Sequence, residues 1–169
     1  MGEPGTNIRE VQMPLPYENA SSGDKALAEI QRVLHRFGCQ RFGVMTDWEK
    51  GELLVQFEWN GRRDSFPASF RGYAEAWLKE NPWTSRRQST REQWERKAFE
   101  VGSVAVYSIL RDWIKAQVTA IETGLLTFES VFMPHMLGRD GKRLIEHVQE
   151  TGLLALPETE QGGNRGNSP

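Results

Sequence analysis

One run of alternating side chains constrains the fold of this chain more than any other feature. Between residues 53 and 59, large apolar side chains occupy every second position. This period of two is typical of a β-strand with one buried face. Asn60-Gly61 follows at once and favours a two-residue hairpin turn, so residues 63–67 are predicted to be the returning strand. With a strand over 42–45 before a turn at Lys50-Gly51, the sequence predicts a three-stranded antiparallel meander.

Most of the remaining chain has helical patterns. A first helix is predicted between a cap at Ser22 and a stop at Gly38. A short helix is expected after Ser69 and is ended by Asn81-Pro82. The longest helix is predicted from Ser89 or Thr90 to about residue 123. Its predicted inward stripe consists of Val101, Val104, Ala105, Ile109, Trp113, Ala116, Ala120 and Ile121.

Two shorter helices follow in the predicted order. The first is capped by Thr127, and the second covers residues 142–150 after a glycine-rich turn. The fold class is therefore α+β: a short three-stranded antiparallel meander packed against a long helix and several shorter helices. We expect a flexible arm over 1–21, one domain over 22–156, and a disordered tail over 157–169.

Composition limits the setting of the protein. The 169 residues are 38% hydrophobic and 26% charged, and no apolar run approaches the length that spans a bilayer. With a single cysteine, Cys39, expected to be an inert thiol, these features favour a protein of the cytoplasm. The net charge of −2 argues against a protein coated for duplex DNA, but it leaves room for a local basic site.

The segment from Trp83 to Lys97 is the strongest candidate site. It holds five cations and two tryptophans around the start of the long helix. Arginine forks suit phosphate oxygens, and indole rings suit bases. The candidate ligand-binding residues here are Trp83, Arg86, Arg87, Arg91, Trp94 and Lys97. The competing interpretation is a solvated helix start in which Glu92 pairs with Arg96 and the tryptophans are buried.

Other polar groups form weaker candidates. Arg62 and Arg63 beside the hairpin turn can contact a ligand, or can guard a strand edge against unwanted pairing. Asp112, Lys115 and Glu122 can line a pocket or can fix helix packing. We recognise no metal-ligand spacing, phosphate loop or catalytic motif, and we expect no metal or cofactor.

One stretch of the chain resembles a known family. The run from Trp113 to Met136 and the following Gly138-Arg-Asp-Gly-Lys resemble small uncharacterised proteins of phages and mobile elements. Those proteins pair a β-hairpin region with a helix of similar pattern. The resemblance covers the middle and C-terminal two-thirds and rests on Lys115, Ala120, Glu122, Gly124, Thr127, Phe128, Glu129, Phe132 and Pro134. It implies a bacterial host cell as the setting and implies no chemistry.

These observations favour a non-enzymatic, phage-type accessory protein that binds an anionic ligand, either a nucleic-acid strand or a nucleotide. The first alternative is a protein-binding inhibitor of a host antiviral defence or CRISPR effector. The second is an enzyme with a dispersed site built on Glu122, Glu129 and His135. Because six tryptophans exceed what one small core holds, we also expect a homodimer, with the long helix as its pairing face.

Overall fold

The computed structural model describes residues 14–154. The predicted tail over 157–169 and the first thirteen residues of the predicted arm lie outside the described residues. The helices are α1 (Gly23–Phe37), α2 (Arg71–Glu80), α3 (Arg91–Glu122), α4 (Phe128–Phe132) and α5 (Leu144–Glu150). The strands are β1 (Arg41–Asp47), β2 (Glu52–Trp59) and β3 (Arg62–Ser69). The α+β prediction is confirmed.

The sheet is an antiparallel meander in the order β1-β2-β3. Asn60 and Gly61 both have positive φ, 50° and 74°. Such angles are those of a type I′ turn, whose twist matches that of the flanking strands. The turn pairs Trp59 with Arg62 and sets the register, in which Phe57 lies opposite Asp64. Of the β2 side chains that the alternation predicts to point inward, Leu53, Val55 and Phe57 are buried, and Trp59 is partly buried against the core.

Local capping explains the helix bounds. Ser22 Oγ accepts a hydrogen bond from the Lys25 amide, and Gly38 ends α1 with a φ of 99°. Thr90 and Gln93 form a reciprocal capping box at the start of α3. The N-cap of α2 is Phe70 and not Ser69, because the first helical hydrogen bond runs from the Ala74 amide to the Phe70 carbonyl. The Ser69 hydroxyl accepts from the Arg71 amide and donates to the Gly51 carbonyl.

The inward face of α3 agrees only in part with the predicted stripe: Trp113 and Ile121 are partly buried against the main core, and Val101 is partly buried against the Trp77–Trp94 group. Of the eight predicted residues only Ala105 is buried; Ile109 is 36% exposed and Ala116 is exposed. The helix packs against α1 and α2 at once, so two of its faces are covered. The buried positions are the aromatic Trp94 and Tyr107, the branched aliphatic Val106, Ile114 and Val118, and the small Ala98, Gly102, Ser103, Ala105 and Ser108.

Gly102 marks the closest approach of α3 to α2. A Cβ atom built on it would lie 2.7 Å from the Phe70 carbonyl oxygen and 3.2 Å from the Ala74 amide nitrogen. Both are backbone atoms, so neither can turn aside. Only glycine therefore allows the two helices this separation.

We expect Gly102→Ala to lower the free energy of unfolding by about 1–3 kcal/mol, because overpacking forces the two backbones apart. Gly72→Ala in α2 is the matched control, since nothing lies within 4 Å of the position that its added methyl group would occupy. That control should be neutral or stabilising by up to about 1 kcal/mol through helix propensity. Urea unfolding of both variants measures the difference, and equal stabilities would contradict the close contact.

Candidate nucleic-acid interface

The connection between α2 and α3 is folded by bonds from side chains to the backbone. Trp83 Nε1 donates to the Ser89 carbonyl at 2.8 Å, and Arg87 Nε donates to the Pro82 carbonyl at 3.3 Å. Trp94 Nε1 reaches back from α3 to the Asn81 carbonyl at 2.8 Å. These bonds hold a polar segment in one conformation next to the helix start.

Trp94 belongs to a second, smaller core. Its ring lies 5.0 Å from that of Trp77, and Ala74 and Ala98 complete the buried group. Trp94 is only 9% exposed, as the competing interpretation of the segment expected for the tryptophans. Trp83 is 38% exposed and keeps part of its ring open to solvent. Stacking on a base is therefore open to Trp83 rather than to Trp94.

Cations surround the Trp94 ring. The Arg87 guanidinium lies 3.9 Å from the ring centroid, and Lys97 Nζ lies 5.0 Å from it. Arg91 and Lys97 are three residues before and after Trp94, so they share its side of the helix. We call Arg86, Arg87, Arg91 and Lys97 the basic cluster; all four are exposed.

Backbone amides at the start of α3 already form hydrogen bonds within the protein. The Thr90 hydroxyl accepts from the Gln93 amide at 3.2 Å, and Gln93 Oε1 accepts from the Thr90 amide at 2.9 Å. A hydrogen bond from its own backbone amide lowers the pKa of Glu92 and keeps its carboxylate at the first turn. Arg91 pairs with Glu95 at 3.1 Å. An anion at this surface must therefore be bound by side-chain cations rather than by the helix amides.

An aromatic groove that the sequence did not predict lies on a different face of α3 from Trp94 and Lys97, because successive helix residues are rotated by about 100°. We define it by Trp48, Phe70, Arg96 and Phe99; Glu49 and Glu100 also line its volume of about 450 Å³. Trp48 is 70% exposed, and its ring lies 6.1 Å from that of Phe70. The only signal in the sequence was a tryptophan placed in a polar hairpin turn.

Arg62 and Arg63 lie apart from this surface. They begin β3, whereas α2 follows the other end of this eight-residue strand, roughly 23 Å away, and the basic cluster comes after α2. Arg62 forms an ion pair with Glu129. The structure therefore does not bring this pair together with the basic cluster.

The candidate polar groups of α3 contact α1 and the segment before it. Lys115 Nζ lies 2.8 Å from Glu29, and Glu122 lies 2.8 Å from Arg36. Asp112 accepts from Arg111 and from the Tyr17 hydroxyl, at 2.7 and 3.0 Å. These contacts fix helix packing, which is the second of the two interpretations.

Glu122, Glu129 and His135, the residues of the enzyme alternative, each contact different residues. Glu122 and Glu129 each pair with a different arginine, Arg36 and Arg62. The His135 ring packs 4.3 Å from Phe66 and 5.7 Å from Trp113, and burial lowers its pKa. No residue among those described accepts or donates a hydrogen bond at His135 Nδ1. None of these contacts joins either carboxylate to the imidazole.

Asp64 is a second feature that sequence reasoning missed. It is fully buried on the core face of β3, and neither carboxylate oxygen has a hydrogen-bond partner within the described residues. Burial raises the pKa of its carboxyl to about 7. Burial and the Asp64 charge also raise the pKa of Cys39 to about 12, so this thiol stays protonated and inert at neutral pH. The sequence signal was an aspartate at an inward position of the returning strand.

Within residues 14–154 no group of three or more His, Cys, Asp or Glu side chains is placed to hold a metal ion. No helix in that range is long and apolar enough to cross a membrane. No family model, curated protein or solved structure matches this chain. The case for a function therefore depends on the surfaces described above.

Proposed function

We propose that this protein binds a single-stranded nucleic acid at the basic cluster. The observation that carries the proposal is the pair of exposed cations, Arg87 and Lys97, held over the Trp94 ring, with the partly exposed Trp83 in the connection that leads into α3. Arginine and lysine bind phosphates, and exposed aromatic rings stack on bases without regard to sequence.

The basic cluster suits the backbone of a strand. Its exposed cations can contact successive phosphate oxygens, and the 38% exposed ring of Trp83 can stack on a base.

A strand fits this arrangement better than a free nucleotide does. A nucleotide site usually buries its ligand in a concave pocket with amides around the phosphates. Here the cations are spread along an exposed surface, and the helix-start amides are already bonded within the capping box. The setting that goes with the proposal is the phage-type accessory role in a bacterial cytoplasm. The inhibitor alternative stays a prediction, because it rests on the family resemblance alone.

We expect Arg86→Ala plus Arg91→Ala to weaken binding of a fluorescent oligothymidine of about 16 nucleotides by about tenfold or more at low salt. Each lost phosphate contact lowers the slope of log K against log salt by about 0.7 for single strands, so the double variant should lose about 1.4. Fluorescence anisotropy at several salt concentrations measures both quantities.

Arg32→Ala plus Arg139→Ala is the matched control, since it removes the same charge from exposed positions elsewhere. Equal weakening by the two double variants would mean that only net charge acts, and would sink the proposed site. Absence of oligonucleotide binding by the unaltered protein at low salt would sink the function. Trp83→Ala tests base stacking, where one lost stacking contact weakens binding by about 1–3 kcal/mol.

A further inference from the structure

Among the described residues, another segment of the chain covers the β3 edge of the sheet, but none covers the β1 edge. Beyond β3, the segment after α4 returns, so that Met136 bridges to Asp64 and the Leu137 amide donates to the Arg63 carbonyl at 2.8 Å. The other edge, β1, pairs with β2 alone within residues 14–154. One edge is therefore closed by the chain, and the other presents a row of backbone groups to a partner.

The register identifies these backbone groups. The two-residue turn makes Trp59 and Arg62 a hydrogen-bonded pair, so odd residues of β2 direct their amides and carbonyls to β3 and even residues direct theirs to β1. The bond from the Leu137 amide to the outward carbonyl of Arg63 agrees with this alternation. It follows that Phe42, Val44 and Thr46 direct their backbone groups to the open edge.

The open edge lacks the features that usually prevent pairing. Protein edges are commonly guarded by a proline, by a central charge or by a bulge that twists the strand away. Residues 42–46 contain no charge and no proline. The charges of β1 lie only at its ends, with Arg41 at the first position and Asp47 at the last. Their side chains are 79% and 43% exposed.

This distribution of charge is self-complementary. Suppose that a second copy of β1 pairs antiparallel with the first about a two-fold axis at Val44. Each residue then faces the residue of the other copy that lies equally far on the opposite side of Val44. Arg41 then lies opposite Asp47 of the other copy, at both ends of the pairing. Phe42 lies opposite Thr46, and Val44 lies opposite itself, so the outward amides and carbonyls meet in register.

The side chains on the outer face fit the same axis. Met45, which is 68% exposed, lies opposite Gly43 of the other copy. A Cβ atom at Gly43 would find nothing within 4 Å, so the methionine has room there. Leu54 and Pro67 stand beside Met45 in the sheet register and continue an apolar row across the outer face.

We propose that two copies of this chain pair antiparallel through β1, centred on Val44, and form a continuous six-stranded sheet. A two-fold interface uses the same patch on both copies, as this edge does. The proposal is independent of nucleic-acid binding, and it assigns the expected homodimer to a strand edge rather than to the long helix.

Charge reversal tests the axis. Arg41→Asp alone and Asp47→Arg alone each create two like-charged contacts in the dimer, and we expect each to weaken dimerisation by about tenfold. The double variant restores opposite charges and should return the Kd to within about threefold of the unaltered protein. Sedimentation from about 1 µM to about 1 mM measures the Kd, and circular dichroism checks that each variant is folded.

A backbone variant provides a second arm. Val44→Pro removes an amide that faces the open edge and not β2, so the fold should persist while pairing is lost. A monomer throughout the concentration range would overturn the proposal for the unaltered protein. A dimer that both single reversals leave unchanged would also overturn it and would point to another face, such as α3.

Discussion

Replacing Asp64 with asparagine is expected to stabilise this protein above neutral pH and to remove most of a fall in stability between about pH 4 and pH 7. Asp64 is fully buried, with no hydrogen-bond partner for either oxygen among the described residues. Burial raises the pKa of the carboxyl to about 7. Between about pH 4 and pH 7, the folded protein therefore holds a proton on the Asp64 carboxyl that the unfolded chain has already released.

The sign of the effect follows from that proton. In the unfolded chain the carboxyl ionises near its ordinary pKa of 3.8, whereas in the folded state it ionises near 7. Between these values the folded state binds more protons, so the free energy of unfolding falls as pH rises and levels off above about 7. The whole fall is on the order of 4 kcal/mol, from about 1.4 kcal/mol for each pH unit. Asparagine is nearly isosteric with aspartate and does not titrate, so it avoids this loss.

Urea unfolding of both proteins at about pH 5 and about pH 8 measures the effect, and the variant should gain about 2–3 kcal/mol relative to the unaltered protein between these values. Comparing the two proteins cancels the opposite contribution of His135, whose pKa is lowered by burial. Asp140→Asn is the control, because hydrogen bonds lower the pKa of this exposed carboxyl and its removal should not stabilise. A stability difference between the Asp64 proteins that does not change with pH would contradict the buried charge.

Phe132→Ala is expected to cause the largest loss of stability, about 3–5 kcal/mol. Phe132 is fully buried in α4, and its ring lies 4.9–6.0 Å from the rings of Phe57, Phe66, Trp113 and Phe128. Phe132 therefore contacts β2, β3, α3 and the first residue of its own helix, α4. A cavity here removes contacts from all four elements, and the surrounding rings cannot collapse into it without moving the backbone.

Phe132→Ala should also loosen the segment that covers the β3 edge, because that segment directly follows α4. The segment that closes the β3 edge begins directly after Phe132, with the Met133–His135 turn and the bridge at Met136. Hydrogen exchange at the Leu137 amide should therefore speed up in the variant together with the loss of global stability. Leu125→Ala is the matched control, since Leu125 is 76% exposed and its truncation should change stability by at most about 0.5 kcal/mol. A loss below about 1 kcal/mol at Phe132 would mean that this ring is not part of the common core.

The sequence by itself determined the parts of this fold that depend on neighbouring residues. The alternation before Asn60-Gly61 predicted the hairpin, because strand period and turn dihedrals are local properties. Ser22, Thr90 and Thr127 predicted three helix starts, since a capping side chain reaches only the first turn. The basic cluster was also visible, because its cations lie close together in the chain.

Only the tertiary structure decided which faces and charges are buried. The α3 stripe was predicted only in part, because α1 and α2 cover two faces, and their close approach selects small residues such as Gly102 over large apolar ones. Trp48 and Phe99 are far apart in the chain and line the same groove only in the folded structure. Asp64 resembles any polar strand residue until α4 and the core enclose it, and the open edge of β1 exists only because no other described segment returns to it. The local alternation predicted the buried face of β2, but these other burials and contacts depend on segments that are distant in the chain, so no local pattern could supply them.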